Sequence, residues 1–279
     1  MSTFTLPGSS PACEVHLNDE LKKDQLLSFP AFKHWISTLQ HSFKQQEHKN
    51  HTFHAAPYNL RRIDIQHVDY FGKNKERIGF IKLNTLVTND NDEYLPGSVF
   101  LRGGSVAMLL LLQADDVPAN SEQDKYAIMT LQPRIPAGSL SFCEIPAGML
   151  DDSGSFSGGA AKEIEEETGL TVSEDDLIDL TALALAHEPQ ESGQEQLPKA
   201  TYPSAGGCDE FVPIFLYQKR IPRDQLQSWQ GKLTGLREHG EKITLRLVRL
   251  QDLWREGVRD AKTLSAWALY QGLKTESKL

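Results

Sequence analysis

The chain has 279 residues, 39% of them hydrophobic, which suffices for one large or two modest packed domains. Its formal net charge of −9 argues against a nucleic-acid partner, because binding a polyanion draws most of its affinity from Lys and Arg displacing counterions. No apolar run approaches the roughly 18 residues a membrane-spanning helix needs, so no membrane partner is expected.

Residues 1 to 28 are polar and aperiodic and read as a flexible tail. The opening Met1-Ser2-Thr3-Phe4 lacks a basic segment followed by an apolar one, so no secretory signal is expected. Cys13, Cys143 and Cys208 are odd in number and lack metal-ligand spacing, which suits a reducing compartment and predicts a cytoplasmic location. Phe32, Trp35, Ile36, Leu39 and Phe43 recur at helical spacing and predict a helix from Phe32 to about Gln46 with one face to bury. Arg61 to Tyr70 and Ile78 to Val87 alternate as strands around the polar turn from Gly72 to Lys75. Residues 29–103 therefore form a small N-terminal α+β unit.

From residue 104 to 279 the predicted strands become dense: Val106 to Gln113, Tyr126 to Gln132, Thr181 to His187, Glu210 to Tyr217 and Ile243 to Arg249. Helices at 158–168 and about 260–273 flank them, and the alternation predicts an α/β sandwich with a mixed sheet. Glu188 to Ala205, rich in Gln, Pro, Ser and Gly, reads as a loop beside the site, either a substrate-binding segment or a plain insertion.

Function concentrates in Lys162-Glu163-Ile164-Glu165-Glu166-Glu167-Thr168-Gly169-Leu170. On a helix turning about 100° per residue, Glu163, Glu166 and Glu167 share one narrow sector while Glu165 points elsewhere. Clustered like charges repel unless a cation neutralises them, and magnesium prefers carboxylate oxygens while joining protein acids to substrate phosphates. A solvated acidic face is the alternative. Upstream lie Glu144-Ile145-Pro146-Ala147-Gly148 and a Ser/Gly-rich lead-in from Ser153 to Gly159; downstream, Gly169 closes the helix and Leu170 packs back on it.

That order resembles the signature of the Nudix hydrolases, with Gly148, Glu163, Ile164, Glu166, Glu167, Gly169 and Leu170 in matching positions. Gly154 stands where the pattern has its first Glu, and Lys162 where it has Arg. Gln132-Pro133-Arg134 and Ser204-Ala205-Gly206-Gly207-Cys208-Asp209-Glu210 resemble the nucleoside-diphosphate-sugar branch of ADP-ribose and ADP-sugar diphosphatases. The plant-type ADP-sugar diphosphatases are the most similar group, on Pro-Ala-Gly-Met-Leu-Asp-Asp, Leu95 to Phe100 and Glu238-His239-Gly240-Glu241, and the resemblance spans about residues 60 to 272.

The resemblance implies a Nudix α/β/α sandwich and a homodimer in which the N-terminal unit exchanges and helps to build the substrate pocket. It implies Mg²⁺, with Mn²⁺ able to substitute, held by Glu163, Glu166, Glu167 and the carbonyl of Ala147. It further implies a general base on a separate acidic loop, for which Glu210 is the first choice and Glu241 the second. Arg134 is read as the phosphate or sugar clamp, because guanidinium binds phosphate oxygens bidentately, with pairing to Glu144 as its structural alternative. Gly206 and Gly207 let backbone approach phosphate, and Tyr70 and Phe71 are candidates to stack on adenine. The expected reaction is hydrolysis of the pyrophosphate bond of a nucleoside diphosphate sugar, ADP-ribose or ADP-glucose, to a nucleoside monophosphate and a sugar phosphate. Dinucleotide or dinucleoside polyphosphate substrates, and a non-hydrolytic nucleotide-binding module, are the alternatives.

Overall fold

The computed structural model describes residues 2–72, 77–118, 121–149, 156–187, 195–235 and 242–279. Two compact units emerge from them: residues up to Gly104 with 195–198 and Ser204–Phe211, and Ser105–His187 with Lys199–Pro203 and Val212–Leu279.

The first unit contains β1 (Thr3–Thr5), β2 (Glu14–His16), α1 (Lys23–Ser28), α2 (Pro30–Gln45), β3 (Asn59–Phe71), β4 (Arg77–Thr88), β5 (Tyr94–Leu95) and β6 (Ser98–Leu101). The strands make a mixed sheet in the order β1-β2-β3-β4-β5, with β6 also on β4, and the β2–β3 pairing is parallel. Pro30 opens α2, where its missing N–H is no loss, and Phe32 and Ile36 of its apolar stripe are buried. The opening residues are not the flexible tail their polarity suggests. β2 pairs with β3, and Leu6, Cys13, Val15, Leu17, Leu21 and Leu26 join the core containing Phe32, Ile63 and Leu83. Their apolar positions follow no single period, so only the pairing across more than 40 residues of chain reveals the segment.

The second unit contains β7 (Ser105–Ala114), β8 (Lys125–Arg134), β9 (Ser139–Glu144), β10 (Ala147–Met149), α3 (Phe156–Thr168), β11 (Ile178–Asp179), α4 (Leu180–Ala184), β12 (Ile214–Ile221), α5 (Arg223–Ser228), β13 (Leu233–Thr234), β14 (Ile243–Arg249), α6 (Leu253–Glu256) and α7 (Ala261–Thr275). Its sheet runs β11-β12-β7-β8-β14-β13, with β10 on β7 and β9 on β8. β12 is parallel to β7 and the other pairings are antiparallel, so this sheet too is mixed.

Every residue of β7 is buried, as a continuous apolar run demands when both faces of a strand are covered. Val106, Met108, Leu110 and Leu112 face a core shared with Ala160 and Ile164 of α3 and Leu226 of α5. Ala107, Leu109 and Leu111 face the opposite core, with Leu180 of α4, Leu253 of α6 and Ala266, Tyr270 and Leu273 of α7. Helices thus cover both faces of the sheet, the α/β/α arrangement expected.

Two expected strands differ. Thr181 to His187 folds as α4 followed by a 3₁₀ turn, because the Asp179 side chain caps the Ala182 N–H and starts a helix in a segment rich in Ala and Leu. Glu210 to Tyr217 begins late: β12 starts at Ile214, and Ser204–Phe211 belongs with the first unit.

Candidate functional site

The acidic segment forms α3, anchored by Ala160 and Ile164, which are fully buried against β7. That anchoring sets the helix's rotation. At its end Gly169 takes the left-handed φ of +75° and donates its N–H to the Glu165 carbonyl at 2.8 Å, the closure expected of a glycine there.

Glu163 and Glu167, one turn apart, meet β10. Glu167 is buried; one of its oxygens accepts from the Ala147 N–H at 3.1 Å and the other from the Gln132 side chain at 3.2 Å. Burial pushes its pKa up to about 8; the Gln132 hydrogen bond lowers it, and the charges of Glu163 and Glu144 raise it further. Next along β10, Gly148 leaves the space that the Glu163 carboxyl fills: a Cβ there would lie 1.7 Å from Glu163 Cδ. The Glu166 carboxylate lies 3.9 Å from the Lys162 ammonium and is about a third exposed. The three expected metal acids therefore share a helical turn without converging. Among the described residues no group of three or more His, Cys, Asp or Glu side chains is gathered as a metal ion requires.

Arg134, at the end of β8, donates from Nε to Glu144 Oε1 at 2.5 Å, so the structural alternative for this side chain is realised. Burial works against the guanidinium charge, and Glu144 beside it more than compensates, raising its pKa. Glu144 is 2% exposed, and its second oxygen accepts from Lys262 Nζ at 2.9 Å. Lys262 also donates to Asp260 Oδ1 at 2.8 Å, while Asp260 Oδ2 caps α7 through the Thr263 N–H and hydroxyl and accepts the Ile145 N–H. An alternating chain of charges thus runs from the N-terminus of α7 to Arg134.

The Ser204–Phe211 loop is held within the first unit. Phe100 N–H donates to the Gly207 carbonyl at 2.8 Å, and Asp209 N–H returns to the Phe100 carbonyl at 3.4 Å. Asp209 then accepts the backbone N–H groups of Arg102 at 2.7 Å and Gly103 at 3.0 Å. Burial raises the Asp209 pKa, and those N–H donors pull it back. Glu210 forms an ion pair with Arg102, Oε1 to Nη1 at 3.0 Å. A Cβ at Gly206 or Gly207 would meet nothing within 4 Å, so open space adjoins both.

Tyr70 donates its hydroxyl to the Glu20 carbonyl at 2.7 Å, and Phe71 packs edge-on against Phe80 with centroids 5.0 Å apart. Both rings have packing partners within their own unit. Glu241 and Gly154 lie outside the described residues. Gln132, Arg102, Lys262 and Asp260 were not singled out as site residues from the sequence alone. Asp260 carried a signal, a helix-capping acid ahead of the Ala261–Thr275 helix, whereas Arg102 and Lys262 carried none.

The NUDIX domain profile matches residues 112–268. Nudix hydrolase 14, chloroplastic, of Arabidopsis thaliana is 38% identical over 247 residues, which cover 88% of this chain and 71% of that one. A crystal structure of an ADP compounds hydrolase superposes with a TM-score of 0.46 at 17% identity, covering 79% of this chain and 99% of that chain.

Proposed function

This chain belongs to the Nudix family, and from that premise we propose that it is a metal-dependent diphosphatase of nucleoside diphosphate sugars, with ADP-ribose or ADP-glucose as substrate. Its family makes it a hydrolase, and Nudix hydrolases generally use divalent metal ions. The observation that carries the reading is that Glu163 lies against Gly148 and Glu167 accepts from the neighbouring Ala147 N–H, with Glu166 on the same helical turn.

The donor chemistry fits a hard cation. Glu163, Glu166 and Glu167 lie within about one turn, and burial raises the pKa of Glu167, with the charges of Glu163 and Glu144 adding to the rise. Glu163, Glu166, Glu167 and the Ala147 carbonyl would hold Mg²⁺, or Mn²⁺ in its place. When bound, the ion neutralises diphosphate oxygens and acidifies the attacking water. Because among the described residues these acids are not gathered around a common point, holding one ion requires their side chains to turn.

Glu210 is our proposed general base, receiving the proton of the water that attacks phosphorus; Glu241 is the second candidate. Arg134 would hold a phosphate oxygen through the guanidinium nitrogens that Glu144 does not engage. Gly206 and Gly207 offer open backbone for a phosphate, and Tyr70 and Phe71 are the candidates for stacking on adenine. The products would be AMP and a sugar phosphate. We also propose a homodimer and, on its three free cysteines, a cytosolic location, while the Arabidopsis relative is chloroplastic by name. Among the described residues no helix is long and apolar enough to cross a membrane.

The test incubates the purified chain with Mg²⁺ and ADP-ribose, ADP-glucose, UDP-glucose, a dinucleotide and a dinucleoside tetraphosphate, and scores products by phosphorus NMR. AMP and a sugar phosphate from the ADP-sugars support the reading. Preferential cleavage of the dinucleotides, or binding with no turnover at all, overturns it.

A further inference from the structure

We propose that Lys262 is a positioning residue that keeps the terminal nitrogens of Arg134 available for a phosphate oxygen. This rests on the reading of Arg134 as a phosphate-binding residue and adds the device that makes it one. A guanidinium facing a carboxylate ordinarily closes a fork of two parallel hydrogen bonds, which would occupy the nitrogens a phosphate needs. Here the fork is not closed. Among the described residues the Arg134 side chain makes its one hydrogen bond through Nε, to Glu144 Oε1 at 2.5 Å.

The reason lies on the other side of Glu144. Its Oε2 accepts from Lys262 Nζ at 2.9 Å, so the carboxylate has one oxygen for each cation. Lys262 cannot drift from that position easily: its side chain is 16% exposed, and Asp260 Oδ1 accepts a second ammonium proton at 2.8 Å. Asp260 in turn is immobilised by the Thr263 N–H, the Thr263 hydroxyl at 2.7 Å and the Ile145 N–H. The N-terminal turn of α7 thereby dictates how Glu144 meets Arg134. The arginine remains 39% exposed at its side chain while its partner carboxylate is almost fully enclosed. Without the ammonium, Glu144 Oε2 would turn to a terminal nitrogen of Arg134 and close the fork, competing directly with a phosphate.

The experiment measures ADP-ribose binding by calorimetry in EDTA, so that neither turnover nor metal enters the readout. Lys262→Met should weaken binding about tenfold, the loss expected when one charge-assisted contact is displaced, and Lys262→Arg should restore it to within about threefold. Arg134→Gln should weaken binding at least as much, and adding Lys262→Met to Arg134→Gln should change nothing further. Unchanged binding by Lys262→Met alongside a weakened Arg134→Gln overturns the positioning role alone, as does full additivity of the two. Unchanged binding by Arg134→Gln sinks the phosphate reading and this inference with it. Should Lys262→Met fail to fold with two buried acids uncompensated, the same substitution is made on Glu144→Gln. There it should be silent, and a tenfold loss overturns the proposal.

Discussion

Gly148 and Glu163 occupy one space between them: the glycine lacks the Cβ that would stand 1.7 Å from the glutamate's Cδ. A strand residue and a helix residue thus fix each other, and the helix acid reaches the strand's backbone only because nothing larger than hydrogen is there. Gly148→Ala should fold, since the clashing atoms are the far end of a flexible side chain that can swing away. The melting temperature should stay within about 4 °C of the parent, whereas kcat should fall about 10²-fold through displacement of the Glu163 carboxylate. Thermal denaturation beside steady-state kinetics checks this, and a normal rate in a folded variant would remove Glu163 from the site.

Glu167 makes metal-free stability depend on pH with a defined sign. Its folded pKa is raised from 4.5 to about 8 by burial, so between those values the folded state binds more protons than the unfolded one. Stability carried by the protonated carboxyl is complete below the unfolded pKa and is lost as pH rises through the folded one. In EDTA, the urea midpoint should fall between about pH 5 and pH 9, and Glu167→Gln should flatten that part of the dependence. A variant with the same slope as the parent would refute the assignment.

Glu166 differs from its neighbour in being half-buried and, among the described residues, paired with Lys162 across a loose 3.9 Å contact. Replacing it with Gln should change stability by no more than about 0.5 kcal/mol. If it holds the divalent ion, turnover should nonetheless drop by at least about 10²-fold, and metal titrations should show weaker Mg²⁺ activation. Chelation of the parent enzyme should abolish turnover, and Mg²⁺ or Mn²⁺ should restore it. A rate insensitive to chelation would refute metal dependence outright.

Arg102 and Glu210 pair at 3.0 Å, and Arg102 Nε is buried without a hydrogen-bond partner among the described residues. Truncating the acid would leave that guanidinium still poorer in acceptors, so Glu210→Ala should destabilise the protein by about 1 to 3 kcal/mol. Glu210→Gln keeps an acceptor oxygen and should preserve the fold while lowering kcat by about 10² to 10⁴, the usual contribution of a general base. Arg102→Gln should lower kcat less, with KM little changed, because it loosens the acid without removing it. Chemical denaturation and initial rates together separate these effects.

The elements that carry the candidate site residues were legible in the chain because their signals are local. The helical spacing of Glu163, Glu166 and Glu167, the Gly169 stop, and the apolar run of β7 each depend on a few consecutive residues and appear where expected. Thr181 to His187 misled because alternation of Ala and Leu satisfies both strand and helix periods, and the Asp179 cap decided between them. The N-terminal strands were hidden for the opposite reason, since their pairing partners lie far along the chain.

The sequence alone determined which acids share a helical turn, since side-chain direction follows from backbone period. Only the tertiary structure decided that Glu167 is buried with its pKa raised, that Glu144 divides its oxygens between Arg134 and Lys262, and that Glu210 answers to Arg102. Burial and charge pairing are properties of neighbours in space, and these neighbours stand as much as 118 residues apart in the chain.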